Sequence, residues 1–66
     1  MYKIIYNLNL GDDKLSDNKT LLRSDIQDAC AIANFISSDD KSYNVKIYDN
    51  SNNVIYIVKE NGKKVI

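Results

Sequence analysis

The sequence predicts an α+β fold: a small antiparallel β-sheet of three to five strands with one helix packed on one face, in the order β(β)αββ(β). Three observations carry this. Residues 2–10 and 43–49 alternate between apolar and polar side chains, the period of a half-buried strand. Residues 26–36 repeat apolar side chains at helical spacing. Two turn signals, Asp49-Asn50-Ser51-Asn52-Asn53 and Asn61-Gly62, separate short strand-like runs near the carboxy end.

In the first strand Tyr2, Ile4, Tyr6, Leu8 and Leu10 share one face, and Lys3, Ile5, Asn7 and Asn9 share the other. Residues 11–19 are polar and turn-forming, so they are expected as a loop. Thr20-Leu21-Leu22-Arg23 is either a short strand pairing with the first or the approach to the helix. Ser24 is the expected N-cap, with Gln27 three residues on as in a capping box. Asp25 and Asp28 suit the positive end of the helix dipole. Ile26, Ala29, Cys30, Ala33 and Ile36 form the apolar stripe, widened by Ile32 and Phe35, so the helix is placed at about 25–37. Tyr43, Val45 and Ile47 are expected to point inward and Asn44, Lys46 and Tyr48 outward. After Asn61-Gly62, residues 63–66 read as a short return strand.

Residues 54–58, Val-Ile-Tyr-Ile-Val, do not alternate. A sheet with one solvated face should alternate, and one helix covers one face only. Burying a side chain of this kind stabilises by about 1.5–3 kcal/mol, so a second cover is expected. A three- or five-residue loop after Tyr48 pairs it with Val54 and a four-residue loop reverses the facing; an Asn near the end of the turn favours the pairing of Tyr48 with Val54. That register sends Ile55 and Ile57 to the core and leaves Ile5, Tyr48, Val54, Tyr56 and Val58 as an outward patch rimmed by Lys3 and Lys46. Such a tyrosine-rich patch with a polar rim is the expected partner- or self-interface.

Composition narrows the chemistry. The chain has 66 residues, read as one domain over 1–66, with nine basic and nine acidic side chains, no His, no Trp, no Pro and one Cys. A single Cys forms no internal disulfide, and without His there is no usual zinc set and no common general base. Cys30 falls on the helix stripe, where a thiol is normally inert. The segment 49–60 imitates part of a calcium loop, but Val54 stands where the sharp turn needs Gly. No glycine-rich phosphate loop is present, since Gly11 and Gly62 stand alone. No enzyme activity, cofactor or metal is therefore expected. Chains shorter than about 70–80 residues need some further source of stability, and self-association is what remains here.

The zero net charge conceals a segregation. Residues 11–40 carry seven Asp against Lys14, Lys19 and Arg23, whereas residues 41–66 carry five Lys against Asp49 and Glu60. Lys59, Lys63 and Lys64 gather near the last turn as candidate phosphate contacts. The richness in Asn, Ile and Lys is what AT-rich codons produce, as in a low-GC bacterium or its phage.

These readings lead to a non-catalytic protein-interaction module: a small oligomeric phage or mobile-element inhibitor or adaptor that binds a host protein, such as a host-defence antagonist. The alternative is an oligomer that sequesters a small nucleotide-like ligand, with tyrosines stacking on the base and Lys59, Lys63, Lys64 or Arg23 meeting phosphate. The expected partners are a second copy of the chain and an unidentified protein. Neutral net charge argues against nucleic acid. The short, Asn-interrupted apolar start argues against a signal peptide or membrane span, so the expected location is cytoplasmic.

Overall fold

The computed structural model describes residues 1–65. Ile66, the end of the expected return strand, lies outside the described residues. The elements are β1 (Tyr2–Gly11), β2 (Lys14–Leu15), β3 (Lys19–Arg23), α1 (Ile26–Ser37), β4 (Ser42–Tyr48), β5 (Val54–Glu60) and β6 (Lys63–Lys64). The one helix packs on a six-stranded sheet in which every pairing is antiparallel. The order is β2-β1-β4-β5-β6, and β3 joins β1 as well. β1 and β4 form the centre. The sheet holds one strand more than expected because β2 forms inside the segment read as a loop.

The β1–β2 turn explains the extra strand. Gly11 pairs with Lys14, and the two residues between them, Asp12 and Asp13, both have positive φ, at 53° and 61°. A two-residue hairpin turn with both central residues left-handed matches the twist of the flanking strands. Asp tolerates this conformation less well than Asn or Gly. Replacing the pair with Asn-Gly (Asp12→Asn with Asp13→Gly) is expected to stabilise the protein by about 1 kcal/mol. A thermal melt would then move up by about 4–8 °C. An unchanged or lower melting temperature would contradict this turn.

The helix begins one residue later than the capping-box pattern implies. Asp25, not Ser24, is the N-cap: its backbone is extended and its carboxylate accepts the N–H of Gln27 at 3.0 Å. An acidic cap at this end also meets the positive end of the dipole. Ala29 and Ala33 are fully buried, and their small side chains let the helix lie close to the sheet. Ile26, Cys30, Ile32 and Ile36 flank them. Phe35 does not join the stripe; it is 81% exposed.

The core is small. Ile4, Val45, Ile47 and Val58 from the sheet meet Ala29 and Ala33 from the helix. Ile4 is opposite Ile47 on one side and Leu21 on the other, so this row crosses β3, β1 and β4 under the helix. Near the start of β4 a bulge shifts the register, and Ser42 rather than Tyr43 falls opposite Leu8. Ser42 takes a buried position there.

On the face away from the helix, asparagines replace apolar packing. Asn7 Nδ2 donates to Asn18 Oδ1 at 2.8 Å, Asn44 Nδ2 donates to Asn7 Oδ1 at 3.1 Å, and the Asn61 N–H donates to Asn44 Oδ1 at 3.0 Å. This ladder crosses the sheet without a second helix. The segment joining β2 to β3 runs beside β1, where the Ser16 N–H donates to the Leu8 carbonyl. It is therefore two strands from β5 and does not cover it.

Candidate interaction surface

The β4–β5 turn positions the start of β5. The Asp49 carboxylate accepts the N–H groups of Ser51 and Asn53, each at 2.9 Å, and Asn52 has φ of 65°. This is a five-residue connection closed by a left-handed Asn, and it pairs Tyr48 with Val54 as the sequence implies. Lys3 Nζ donates to Asn52 Oδ1, which ties the turn to β1.

The backbone N–H of Asn53 is the main influence holding the Asp49 carboxyl below its ordinary pKa, helped by the Ser51 N–H. A carboxyl with a lowered folded pKa contributes stability that is present above its unfolded value, about 3.9, and is lost as pH falls through the folded value. Asp49→Asn is therefore expected to lower stability slightly at neutral pH and to converge with the wild type below about pH 4, which flattens part of the acid limb of a stability–pH curve. The turn is solvent-exposed, so the effect is small. Superimposable acid limbs for the two proteins would show that Asp49 does not hold the turn.

Beyond Val54 the expected alternation fails. Ile47 is opposite Tyr56, Lys46 is opposite Ile57 and Val45 is opposite Lys59, with register shifts between Val45 and Lys46 and between Ile47 and Tyr48. Ile55 and Val58 are the residues left over, so β5 carries two bulges. Each bulge moves the following residues to the other face. Val58 is consequently in the core at 2% exposure, not in the outward patch. Tyr56 lies on the helix-bearing face, opposite buried Ile47, rather than outward beside Tyr48. Ile57 takes the outward place, across from Lys46. Ile5, Tyr48 and Val54 keep their expected face: Ile5 pairs with Lys46, and Tyr48 with Lys3 and Val54.

Lys59 does not join the basic tip. It is almost fully buried, and its ammonium donates to the carbonyls of Ser37 at 3.2 Å and Asp39 at 3.1 Å and to Ser42 Oγ at 3.0 Å. These acceptors surround the carboxy end of α1, whose last turn has no basic residue of its own. A cation there meets the negative end of the dipole and satisfies carbonyls that the helix leaves open. All three donors of Lys59 are thus engaged, and none is left for a phosphate. Lys63 and Lys64 remain exposed at the tip, and Glu60 beside them lies 3.9 Å from Lys46.

Sequence reasoning missed the open edge of β5. β6 pairs only with Lys59 and Glu60, and the Val65 N–H adds one bond to the Val58 carbonyl. Among the described residues no strand pairs with Val54–Ile57 on the side away from β4. Val54, Ile55, Tyr56, Ile57 and Val65 line an open cleft of about 410 Å³ along this edge. Val54, Ile55, Tyr56 and Val65 are all exposed. The signal for it was the uncharged run itself, read as a face when it is an edge. The opposite edge of the sheet differs, since β2 and β3 carry Lys14, Lys19 and Arg23, the charges that discourage edge pairing.

A second apolar surface is formed by α1 and β1. Tyr6, Leu8, Phe35 and Ile36, with Ser38 and Asp39, line a groove of about 450 Å³ beside the end of α1. Cys30 is half-buried on the helix. Among the described residues, no three His, Cys, Asp or Glu side chains gather in a set able to hold a metal, and no helix is long and apolar enough to cross a membrane. Comparison with family models, with curated proteins and with solved structures finds no match for this chain.

Proposed function

We propose that this protein is a non-catalytic interaction module that receives an extended strand of a protein partner at the edge of β5. One observation carries the reading: Val54, Ile55, Tyr56 and Ile57 combine a main chain that no other described strand pairs on its outer side with apolar side chains on both faces. Unpaired edge amides and carbonyls are a template for another strand, and the flanking side chains supply pockets for it. A role as a small inhibitor or adaptor of a phage or mobile element fits the size, the AT-biased composition and the lack of a catalytic residue set. Nucleotide sequestration is the weaker reading, because Lys59 is committed to the helix end and only Lys63 and Lys64 stay free at the tip.

A photo-crosslinking side chain at position 56, introduced in the producing cell, tests the module. Discrete protein adducts are expected from position 56, whether to the same chain or to another. A crosslinker at Asp17, in the segment beside β1, is the control and should give none. Equal labelling from both positions, or none from position 56, would overturn the proposal.

A further inference from the structure

We infer that the strand received at the β5 edge is β5 of a second copy, laid antiparallel across a two-fold axis near Ile55–Tyr56. The inference rests on the strand-addition reading and names its partner. Three features favour a copy of the chain over a foreign strand.

The first is the composition of the free edge. Val54–Ile57 carries no charge, so a symmetric antiparallel pairing sets apolar residues against apolar residues and no charge against its like. In a two-fold interface the same patch must complement itself, and this patch does.

The second is the charge at the two ends of the edge. The amino end is the turn holding the ionised Asp49 carboxylate. The carboxy end is the tip bearing Lys63 and Lys64, where Glu60 is already beside Lys46. A two-fold axis through the middle of the edge brings each acidic end to the basic end of the other copy. Complementary charge of this kind fixes orientation and favours the antiparallel arrangement.

The third is closure. Among the described residues β6 limits the free edge to four residues, and the other sheet edge carries Lys14, Lys19 and Arg23. Pairing therefore ends at two copies and does not propagate along a fibre. The two bulges add local twist, which further confines the ladder to this short stretch. An interface this short is expected to be weak, with a micromolar dissociation constant.

Sedimentation equilibrium of the purified chain is the test, with Ile55→Lys and Tyr56→Lys as variants. Both positions are exposed, so a lysine there keeps the fold, which far-UV circular dichroism verifies. The wild type is expected to approach twice the monomer mass at high micromolar concentration, with a melting temperature that rises with concentration. Each variant is expected to remain a monomer whose melting temperature does not depend on concentration. Single cysteines at 54, 55 or 56, in a Cys30→Ser background, should give a disulfide-linked dimer from at least one position, and Leu22→Cys on β3 should give none. A monomeric wild type overturns the self-pairing, yet leaves the interaction module standing if position 56 crosslinks a foreign protein. Dimers that survive both lysine variants also overturn it, because the contact then lies elsewhere.

Discussion

Ile47→Ala is expected to leave most of the chain unfolded at room temperature. Ile47 is fully buried and stands between Ile4 of β1 and Tyr56 of β5, beneath the helix. Removing its three outer carbons costs the transfer energy of those atoms and leaves a cavity, together about 2–5 kcal/mol. The core offers little to fill the gap, since among the described residues six apolar ones are buried. A domain of this size has a margin of about 3–5 kcal/mol, so the loss matches the whole of it. Leu22→Ala, on the exposed outer strand β3, should cost no more than about 0.5 kcal/mol. Urea titration followed by circular dichroism separates the two. An Ile47→Ala protein with a midpoint close to that of Leu22→Ala would mean that the β1–β4–β5 row is not the centre of the structure.

Lys59→Met is expected to have the second largest effect, a loss of about 3 kcal/mol. Replacing a buried charge with an apolar side chain is sometimes neutral, when its polar partners are replaced as well. Here two of the three partners are the main-chain carbonyls of Ser37 and Asp39, which no side-chain change removes. The buried Ser37 carbonyl would lose its donor, while the partly buried Asp39 carbonyl and Ser42 Oγ would keep only each other. Hydrogen bonds to a charged group contribute about 1.5–3 kcal/mol each, with much overlap when they share one donor group. Met preserves the length of the stem, so the loss isolates the ammonium from packing. Lys63→Met and Lys64→Met, at the exposed tip, should each stay within about 0.5 kcal/mol of the wild type. Equal denaturation midpoints for the three variants would refute the anchoring role of Lys59.

The helix, the sheet and the Asn-Gly turn were legible because each has a local chemical cause. Asn61 and Gly62 both have positive φ, as a two-residue hairpin requires. The pairing of Tyr48 with Val54 was legible for the same reason, through the left-handed Asn52. The facing of β5 was not. Alternation fixes a register only when the two faces differ, and Val-Ile-Tyr-Ile-Val offers apolar side chains to both. An extra residue in such a run costs no polar burial, so the bulges at Ile55 and Val58 leave no mark in the composition. The patch of Ile5, Tyr48, Val54, Tyr56 and Val58 accordingly kept three members on one face and lost two.

Lys59 was hidden for a different reason. Its neighbours Lys63 and Lys64 suggested one basic cluster, and a lysine is rarely buried without a carboxylate. The clue lay elsewhere, in Ser37-Ser38-Asp39-Asp40. A helix that ends on serines and aspartates, with no basic side chain and no glycine, leaves its negative end uncompensated. That deficit is met from β5, more than twenty residues along the chain.

The bulges make the length of β5 as informative as its composition. Ile55 and Val58 are the supernumerary residues of their bulges, so removing either would leave the other pairs, and the faces they occupy, as they are. Without Val58, Ile57 would still meet Lys46 and Lys59 would still meet Val45 beneath the helix, at the cost of one core side chain. A one-residue deletion at Ile55 should therefore be tolerated far better than one at Ile47, whose neighbours in β4 are all paired on both sides, and descendants of this chain should vary in length first at the two bulges.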